Sequence, residues 1–399
     1  MPLIDMRDLL RHSRRHGYAV GGFEPAGLDN IEPILQAAEN TRSPIVLSIR
    51  DSSGQYDFEL AMAAAETAAR RAGVPVAIEL VGGGTLDSAV RAIRHGCNGV
   101  TLDASRETFP ENVARTRAIV NMAHACGVPA EGTLRGAATD AEKNHGGSAP
   151  ASAEEARTYV KRTGVDFLAV SVGSGSGRTR GVGRADFERL RRLVHGLELP
   201  LVIRDGAELA EEQIRRLIAG GVAKIHCDGV VAATVDKSVR AGARLGNAGW
   251  AGGVREAIRA EVERCLRVFG SAGRAAEVLA QCRGWRPVEH VIVYNVEHVP
   301  DAQVEAMMAR GREILATIPG VRRVVAGWAV ADEPRYRFCW LIEFTHRAVI
   351  DSYREHPLHR QFADDLFRPV AGDRVSIDFE QVDAVPAVPA GWTRESAIG

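Results

Sequence analysis

The chain has 399 residues, of which 45% are hydrophobic and 25% charged, and its formal net charge is −1. That length suits two domains better than one, and the mixture is that of a globular protein. The near-neutral balance points away from nucleic acid and from anionic membranes as partners, and no run approaches the roughly 20 apolar residues of a membrane span.

The start, Met-Pro-Leu-Ile-Asp-Met-Arg-Asp-Leu-Leu-Arg-His, is charged throughout and lacks the apolar core of a signal peptide. The six cysteines (Cys97, Cys126, Cys227, Cys265, Cys282, Cys339) are scattered without a CxxC pair, which reads as reduced thiols in a cytoplasmic protein. From residue 1 to about 284, short Val/Ile/Leu-rich runs alternate with amphipathic Ala/Glu/Arg-rich stretches, the pattern of parallel strands with helical crossovers. Strands are expected at 19–23, 45–49, 76–80, 99–102, 130–134, 167–172, 201–203 and 224–227. Helices are expected at 30–40, 58–72, 85–95, 107–126, 153–163, 185–197 and 210–220. Glycines that end helices precede several strands: Gly73, Gly127, Gly164 and Gly221. Eight such units predict a TIM (β/α)8 barrel over 1–284, with a doubly wound open sheet as the alternative.

Past Arg283-Gly-Trp-Arg-Pro287 the texture changes. Strands at 289–294, 322–328, 336–344 and 374–379 alternate with helices at 301–318 and 348–367. This strand-helix-strand-strand-helix-strand order is the ferredoxin-like arrangement, expected over 287–383, with a Pro- and Ala-rich tail at 384–399.

The barrel is organised around Val74-Pro-Val-Ala-Ile-Glu-Leu-Val-Gly-Gly-Gly84, a buried strand that carries Glu79 towards its C-terminal mouth. A carboxylate there is costly unless it is paired or working. The segment resembles the strand of class II fructose-bisphosphate aldolases that reads apolar-His-apolar-Asp-His-Gly. Tyr18-Ala-Val-Gly-Gly-Phe23, Thr163 to Gly173, Glu212 to Ile225 and Phe269 to Ala275 carry the resemblance further, in the same order over about 280 residues. In that family the Asp moves the proton and three His hold zinc. Here Glu79 stands at the first His, Val81 at the Asp, and Gly82, Ser176 and Arg204 at the metal ligands. None of these three supplies the imidazole or thiolate that zinc prefers. The resemblance therefore implies an aldolase frame without its zinc site, with no cofactor expected; a magnesium ion on Glu79, Asp103 and Glu131 is the alternative.

Placed in the family's register, Glu24, Arg50, Glu79, Asp103, Glu131, Thr133, Ser171, Arg204, His226 and Asp228 face the mouth, with Lys224 lower. Glu79, Arg204, His226, Asp103 and Glu131 are the expected catalytic groups. Arg50, Glu24, Ser171, Gly173, Ser174, Gly175 and Asp228 are expected to bind substrate. In this reading Arg204 holds a substrate carboxylate or a developing enolate while Glu79 or His226 moves protons. Lys224 as a Schiff base is a lesser alternative. The loop Asp205-Gly-Ala-Glu208 adds negative charge where the family binds phosphate, so a small carboxylate suits the site better than a bisphosphate. The plainer alternative is an internal salt-bridge network in a barrel that serves as a scaffold.

The C-terminal region resembles the stress-responsive A/B barrel family of dimeric α/β barrels, through Ile318-Pro-Gly-Val321 and His356-Pro-Leu-His-Arg-Gln-Phe362. The resemblance implies a homodimer. Tyr353, His359 and His290 match in spacing the groups that a plant polyketide cyclase of that family uses for ring closure, so a cyclase site is a further alternative. Packing is the competing role, with His356 and Pro357 starting a turn and Phe362 filling the core.

Overall fold

The computed structural model describes residues 2–51, 57–134, 152–171, 187–194, 196–204, 206, 209–245 and 250–382. They form two compact units, Met1–Trp285 and Arg286–Gly399.

In the first unit eight parallel strands close into a barrel in sequence order: β1 (Val20–Phe23), β2 (Ile45–Arg50), β3 (Val76–Val81), β4 (Gly99–Leu102), β5 (Ala130–Thr133), β6 (Phe167–Ser171), β7 (Leu201–Arg204) and β8 (Val222–Cys227). The open-sheet alternative is excluded by the pairing of β1 with β8. Between the strands run α2 (Ile31–Thr41), α3 (Phe58–Arg71), α4 (Leu86–Arg94), α5 (Phe109–Ala125), α6 (Ala153–Thr163), α7 (Phe187–Val194) and α8 (Glu211–Ala219). Local chemistry sets the helix ends. Ser152 and Glu155 form a capping box at the start of α6, and Gly164, at φ 74°, ends it. Gly73 departs from the expected helix-ending role: α3 stops at the extended residue Ala72 before it.

Among the described residues, four helices lie outside the expected set: α1 (Met6–His16) before the first strand, and α9 (Val230–Leu245), α10 (Trp250–Val268) and α11 (Ala275–Gln281) after the last. Helix α1 plugs the base of the barrel. Its Met6, Leu9 and Leu10 pack in one cluster with Val20, Val46, Ala77, Phe167 and Val202 from the strand starts. The two ends of the unit meet there, because Ile4 bridges Gly284 and the Trp285 N–H donates to Leu3 O at 2.9 Å. An apolar floor thus lies beneath a polar layer. A register shift between β7 and β8 sets Val202 opposite Lys224, which brings a lysine into the barrel beside His226.

The second unit is a four-stranded antiparallel sheet in the order β10-β11-β9-β12, built from β9 (Val288–Val296), β10 (Val321–Trp328), β11 (Phe338–Phe344) and β12 (Ala371–Glu380). With α12 (Asp301–Leu315) it has the expected ferredoxin-like order. The helix expected at 348–367 is broken: α13 (Val349–Glu355) stops before Pro357, which starts α14 (Pro357–Phe362), and a π turn (Ala363–Phe367) follows. Proline has no N–H to continue the ladder, and the His356 side chain instead caps the new start by accepting from Leu358 N. On β11, Phe338, Trp340, Ile342 and Phe344 alternate with half-buried residues and form the core beneath the helices.

Candidate active site

Period-two alternation turns Gly22, Ser48, Glu79, Thr101, Glu131, Lys224 and His226 into the barrel. Glu79 and Lys224 are 0% exposed, Glu131 1% and His226 2%, so four ionisable groups share one dry compartment. Lys224 Nζ reaches from β8 to Glu79 Oε2 on β3, and lies 2.7 Å from Glu131 Oε2 on β5. Ser48 Oγ donates to Glu79 Oε1 at 2.6 Å and Thr101 Oγ1 to Glu79 Oε2 at 3.2 Å. His226 Nε2 meets Glu131 Oε1 at 2.9 Å. Its Nδ1 is 3.7 Å from both Glu79 Oε1 and Asp228 Oδ1. A methyl group at Gly22 would stand 3.2 Å from Glu79 Oε1 and 3.8 Å from His226 Nδ1, so the absent side chain leaves this corner clear.

Burial, the largest effect, would raise the Glu131 carboxyl, but Lys224 and then His226 hold it down at about 2. For His226, burial and then Lys224 push the imidazole down; Glu131 and Glu79 outweigh them and raise it. Burial likewise works against the Lys224 ammonium, and the same two carboxylates raise it. Each buried charge here is thus offset by an opposite one: Lys224 and His226 act on Glu131, and the two glutamates act on Lys224 and His226. A Schiff-base lysine needs the opposite shift, so Lys224 acts as a counter-ion here.

Above this layer are two arginines. Arg50, at the end of β2, donates from Nε and Nη2 to the two oxygens of Glu24, each at 2.8 Å, and lies 3.7 Å from Asp228 Oδ2. Arg204, at the end of β7, pairs with Asp103, whose Oδ1 also accepts from Ser105 N at 3.1 Å. Burial alone would lower the guanidinium and raise the carboxyl of this pair; their mutual attraction reverses both. Glu131 and Asp228 also act on Arg204, which keeps it within the field of the buried layer. Gly82 sits at φ 69°, and a Cβ there would stand 2.7 Å from Arg50 Nη1, so the guanidinium lies in the space that a side chain would fill. Buried polar atoms around this region without a hydrogen-bond partner among the described residues include Thr133 Oγ1, His226 Nδ1 and Asp228 Oδ1. Such atoms are uncommon in a finished structural core and common where a ligand completes the bonding.

The expected residues thus divide into a buried set (Glu79, Glu131, His226) and two mouth pairs (Arg50 with Glu24, Arg204 with Asp103), with Asp228 between. Of the carboxylate trio considered for magnesium, Asp103 is paired with Arg204, while at the centre of the barrel the ligand atoms of Glu79, Glu131 and His226 lie within 4.8 Å of one another. Lys224 already bridges the two glutamates, a poor setting for a second cation. Ser171 is at the end of β6 in register with Arg204. Gly173, Ser174, Gly175 and Ser176 lie outside the described residues, as do Asp205 and Glu208. Ser48, Thr101 and Gly22 were missed as parts of the site. The available signal was spacing: Ser48 is two residues before Arg50, and Gly22 two before Glu24.

In the second unit Tyr353, His359 and His290 line one cavity of about 220 Å³ with Trp340, Phe344 and Phe362. The Tyr353 and His359 rings are 4.3 Å apart and the His290 and Tyr353 rings 6.1 Å. His290 Nδ1 meets Asp378 Oδ1 at 2.7 Å, and His359 Nδ1 is 3.1 Å from Arg354 O. Burial raises the Tyr353 phenol and lowers His359. Phe362 is 4% exposed and packs edge-on against Trp340, so the packing role expected for it is seen directly.

Residues 4–274 match the profile of fructose-bisphosphate aldolase class II. The chain belongs to the class II fructose-bisphosphate aldolase family. Residues 288–381 match the stress responsive A/B barrel domain, so that domain follows the aldolase barrel. Among relatives, the fructose-bisphosphate aldolase of Thermus caldophilus is 31% identical over 307 residues, covering 68% of this chain and 100% of the relative. The probable fructose-bisphosphate aldolase of Bacillus subtilis is 34% identical over 287 residues, covering 69% and 100%. The crystal structure of the YdjI aldolase from Escherichia coli K12 aligns with a TM-score of 0.60 at 25% identity, over 68% of this chain and 99% of that one. A putative fructose-1,6-biphosphate aldolase from Coccidioides immitis aligns at 0.61 and 26%, over 68% and 98%.

Of the three positions expected to correspond to the family's metal ligands, Gly82 has no ligand atom and a Cβ there would stand 2.7 Å from Arg50 Nη1, Arg204 is paired with Asp103, and Ser176 lies outside the described residues. Among the described residues, no helix is long and apolar enough to cross a membrane, and the six cysteines are free thiols.

Proposed function

We propose that the barrel is an aldolase-type lyase that makes or breaks a bond next to a carbonyl in a small anionic substrate, and that guanidinium groups fixed by the protein stabilise the enolate. One observation supports this reading: guanidinium groups stand at the mouth, Arg50 over Gly82 and Arg204 beside Asp103, at two positions that the resemblance aligns with the family's metal ligands. In the cleavage direction a base takes the hydroxyl proton, the C–C bond breaks, and its electron pair moves to the carbonyl to form an enolate. Arg204 is the group for that oxyanion, since its charge is permanent and its ion pair at the mouth is exchangeable. His226 is the proton carrier. Glu131 fixes its Nε2, Nδ1 is without a hydrogen-bond partner among the described residues, and Asp228 is next to it. Glu79 suits that role less well, because both its oxygens are engaged by Ser48, Thr101 and Lys224.

The test uses a panel of small 2-oxo and hydroxy carboxylates. Arg204→Ala is expected to lower turnover by about 10²–10³-fold, the scale of losing an oxyanion donor, with its circular dichroism unchanged. Turnover is expected to survive exhaustive chelation; activity that vanishes with the metal and returns with zinc would end the metal-independent reading.

A second reading rests on the C-terminal cavity, where a phenol and two imidazoles, one of them held by Asp378, line a largely apolar space. It makes that domain a cyclase-like acid/base site using Tyr353 and His359. Tyr353→Phe with His359→Ala abolishing turnover while Arg204→Ala leaves it intact would move the chemistry there. Full turnover in both variants would leave the barrel as a scaffold. We further infer a homodimer through the β-sheet of the C-terminal domain.

A further inference from the structure

A second group of ligating side chains lies at the base of the barrel, on elements that the lyase reading leaves unused. His12 and His16 are one turn apart on α1, and their rings stack at 4.1 Å with planes 18° apart. Glu277, on α11, brings Oε1 to 3.1 Å from His16 Nδ1 and 3.7 Å from His12 Nε2. One ligand atom from each of the three residues lies within 4.8 Å of the others. We propose that His12, His16 and Glu277 bind a divalent transition cation, zinc foremost.

The donor set is two imidazoles and a carboxylate, which suits zinc and its neighbours better than calcium or magnesium. Tetrahedral bonds of about 2.0–2.1 Å hold ligand atoms about 3.3 Å apart, and the two separations to Glu277 lie on either side of that, while the stacked rings must turn apart on binding so that both lone pairs meet the ion. Two further observations point to a ligand. His12 Nε2 is buried without a hydrogen-bond partner among the described residues, on a side chain that is 4% exposed. The same ring's Nδ1 is 2.9 Å from Tyr18 Oη, so an Nδ1–H that donates to the phenol leaves the Nε2 lone pair for a metal. Arg274 holds the other oxygen of Glu277 at 2.9 Å, which orients Oε1. The His16 and Glu277 side chains are 27% and 29% exposed, so an ion can enter and water can complete its shell. Arg274 also repels a cation, which lowers the expected affinity. Bound there, the ion joins the plug helix to the last helix of the barrel unit and closes nearly the whole unit into one loop.

Full-length protein stripped with chelator is titrated with Co²⁺ and Zn²⁺. One equivalent of Co²⁺ is expected to give the intense visible bands of a tetrahedral site, and Zn²⁺ to displace it and raise Tm by several degrees. His16→Gln and Glu277→Gln, both partly exposed and expected to fold, should each weaken uptake at least tenfold, whereas His226→Gln at the mouth should retain it. Absence of uptake by the unaltered protein, or unchanged uptake in His16→Gln and Glu277→Gln, overturns the proposal. Uptake lost only in His226→Gln would place the ion at the mouth and overturn it equally.

Discussion

The lysine at position 224 decides how the barrel interior is tolerated. Two carboxylates buried at 0% and 1% exposure, on β3 and β5, would each face a large desolvation cost without the ammonium between them. Lys224→Met is therefore expected to lower unfolding stability by about 3–5 kcal/mol, the range for breaking a buried pair, and to recover in part with Glu79→Gln added. Urea denaturation measures both, and an unchanged midpoint in the single variant would refute the counter-ion role. The pH dependence follows from the same network. Glu131 has a folded value depressed to about 2, so its contribution is present above the ordinary carboxylate range and is lost as pH falls towards 2. His226 has a raised folded value, so its contribution is full below the ordinary imidazole range and is lost as pH rises through the raised value. Stability should thus hold through mildly acidic pH and decline on the alkaline side. His226→Gln should flatten that alkaline decline when Tm is followed against pH.

Elements were more legible than the contacts between them. Alternation of Val/Ile/Leu runs with amphipathic stretches located the eight strands within a residue or two, because buried parallel strands must be apolar on both faces. Helix α1 escaped because its four arginines and two histidines mask the apolar stripe of Met6, Leu9 and Leu10, and only the closed barrel shows that the stripe is a plug. At the mouth, period-two spacing identified the polar set, but not that Arg50 would lie over Gly82 or that Asp103 would join Arg204 rather than the glutamates. Those partners depend on how side chains cross a closed barrel, which local sequence does not encode. The C-terminal helices show the reverse, where one small residue reports tertiary packing. A Cβ at Gly311 in α12 would lie 2.6 Å from Phe362 Cζ and 2.6 Å from Trp340 Cη2. Alanine is worth about 1 kcal/mol over glycine in an open helix. Here overpacking costs about 1–3 kcal/mol, so Gly311→Ala is expected to destabilise the C-terminal unit by up to about 2 kcal/mol. Calorimetry reads this as a lower transition for that unit alone; a rise in its Tm would show that the rings yield.

At the scale of the whole molecule, the C-terminal sheet has one face beneath its helices and another that is apolar and partly open. On the edge strand β12, Val375, Ile377 and Phe379 are 38%, 47% and 51% exposed. They continue across the sheet in register: Val375 pairs with Val293 and Ile377 with Val291, which pair in turn with Cys339 and Leu341. Alternation usually places polar residues on a solvated sheet face, so this face is written as a core surface. A second copy of the same face is the occupant that a stress-responsive A/B barrel domain suggests, and an isologous pairing needs only self-complementarity. Ile377→Glu places one charge per protomer, two in a symmetric pair, into that surface. It is expected to halve the mass seen by light scattering while leaving the circular dichroism unchanged, because Ile377 is half-exposed in the single chain. Truncation after Trp285 separates the alternatives. A monomeric barrel assigns assembly to the sheet, whereas a barrel that remains dimeric shows that it assembles through its own surface and that β12 is covered by something else.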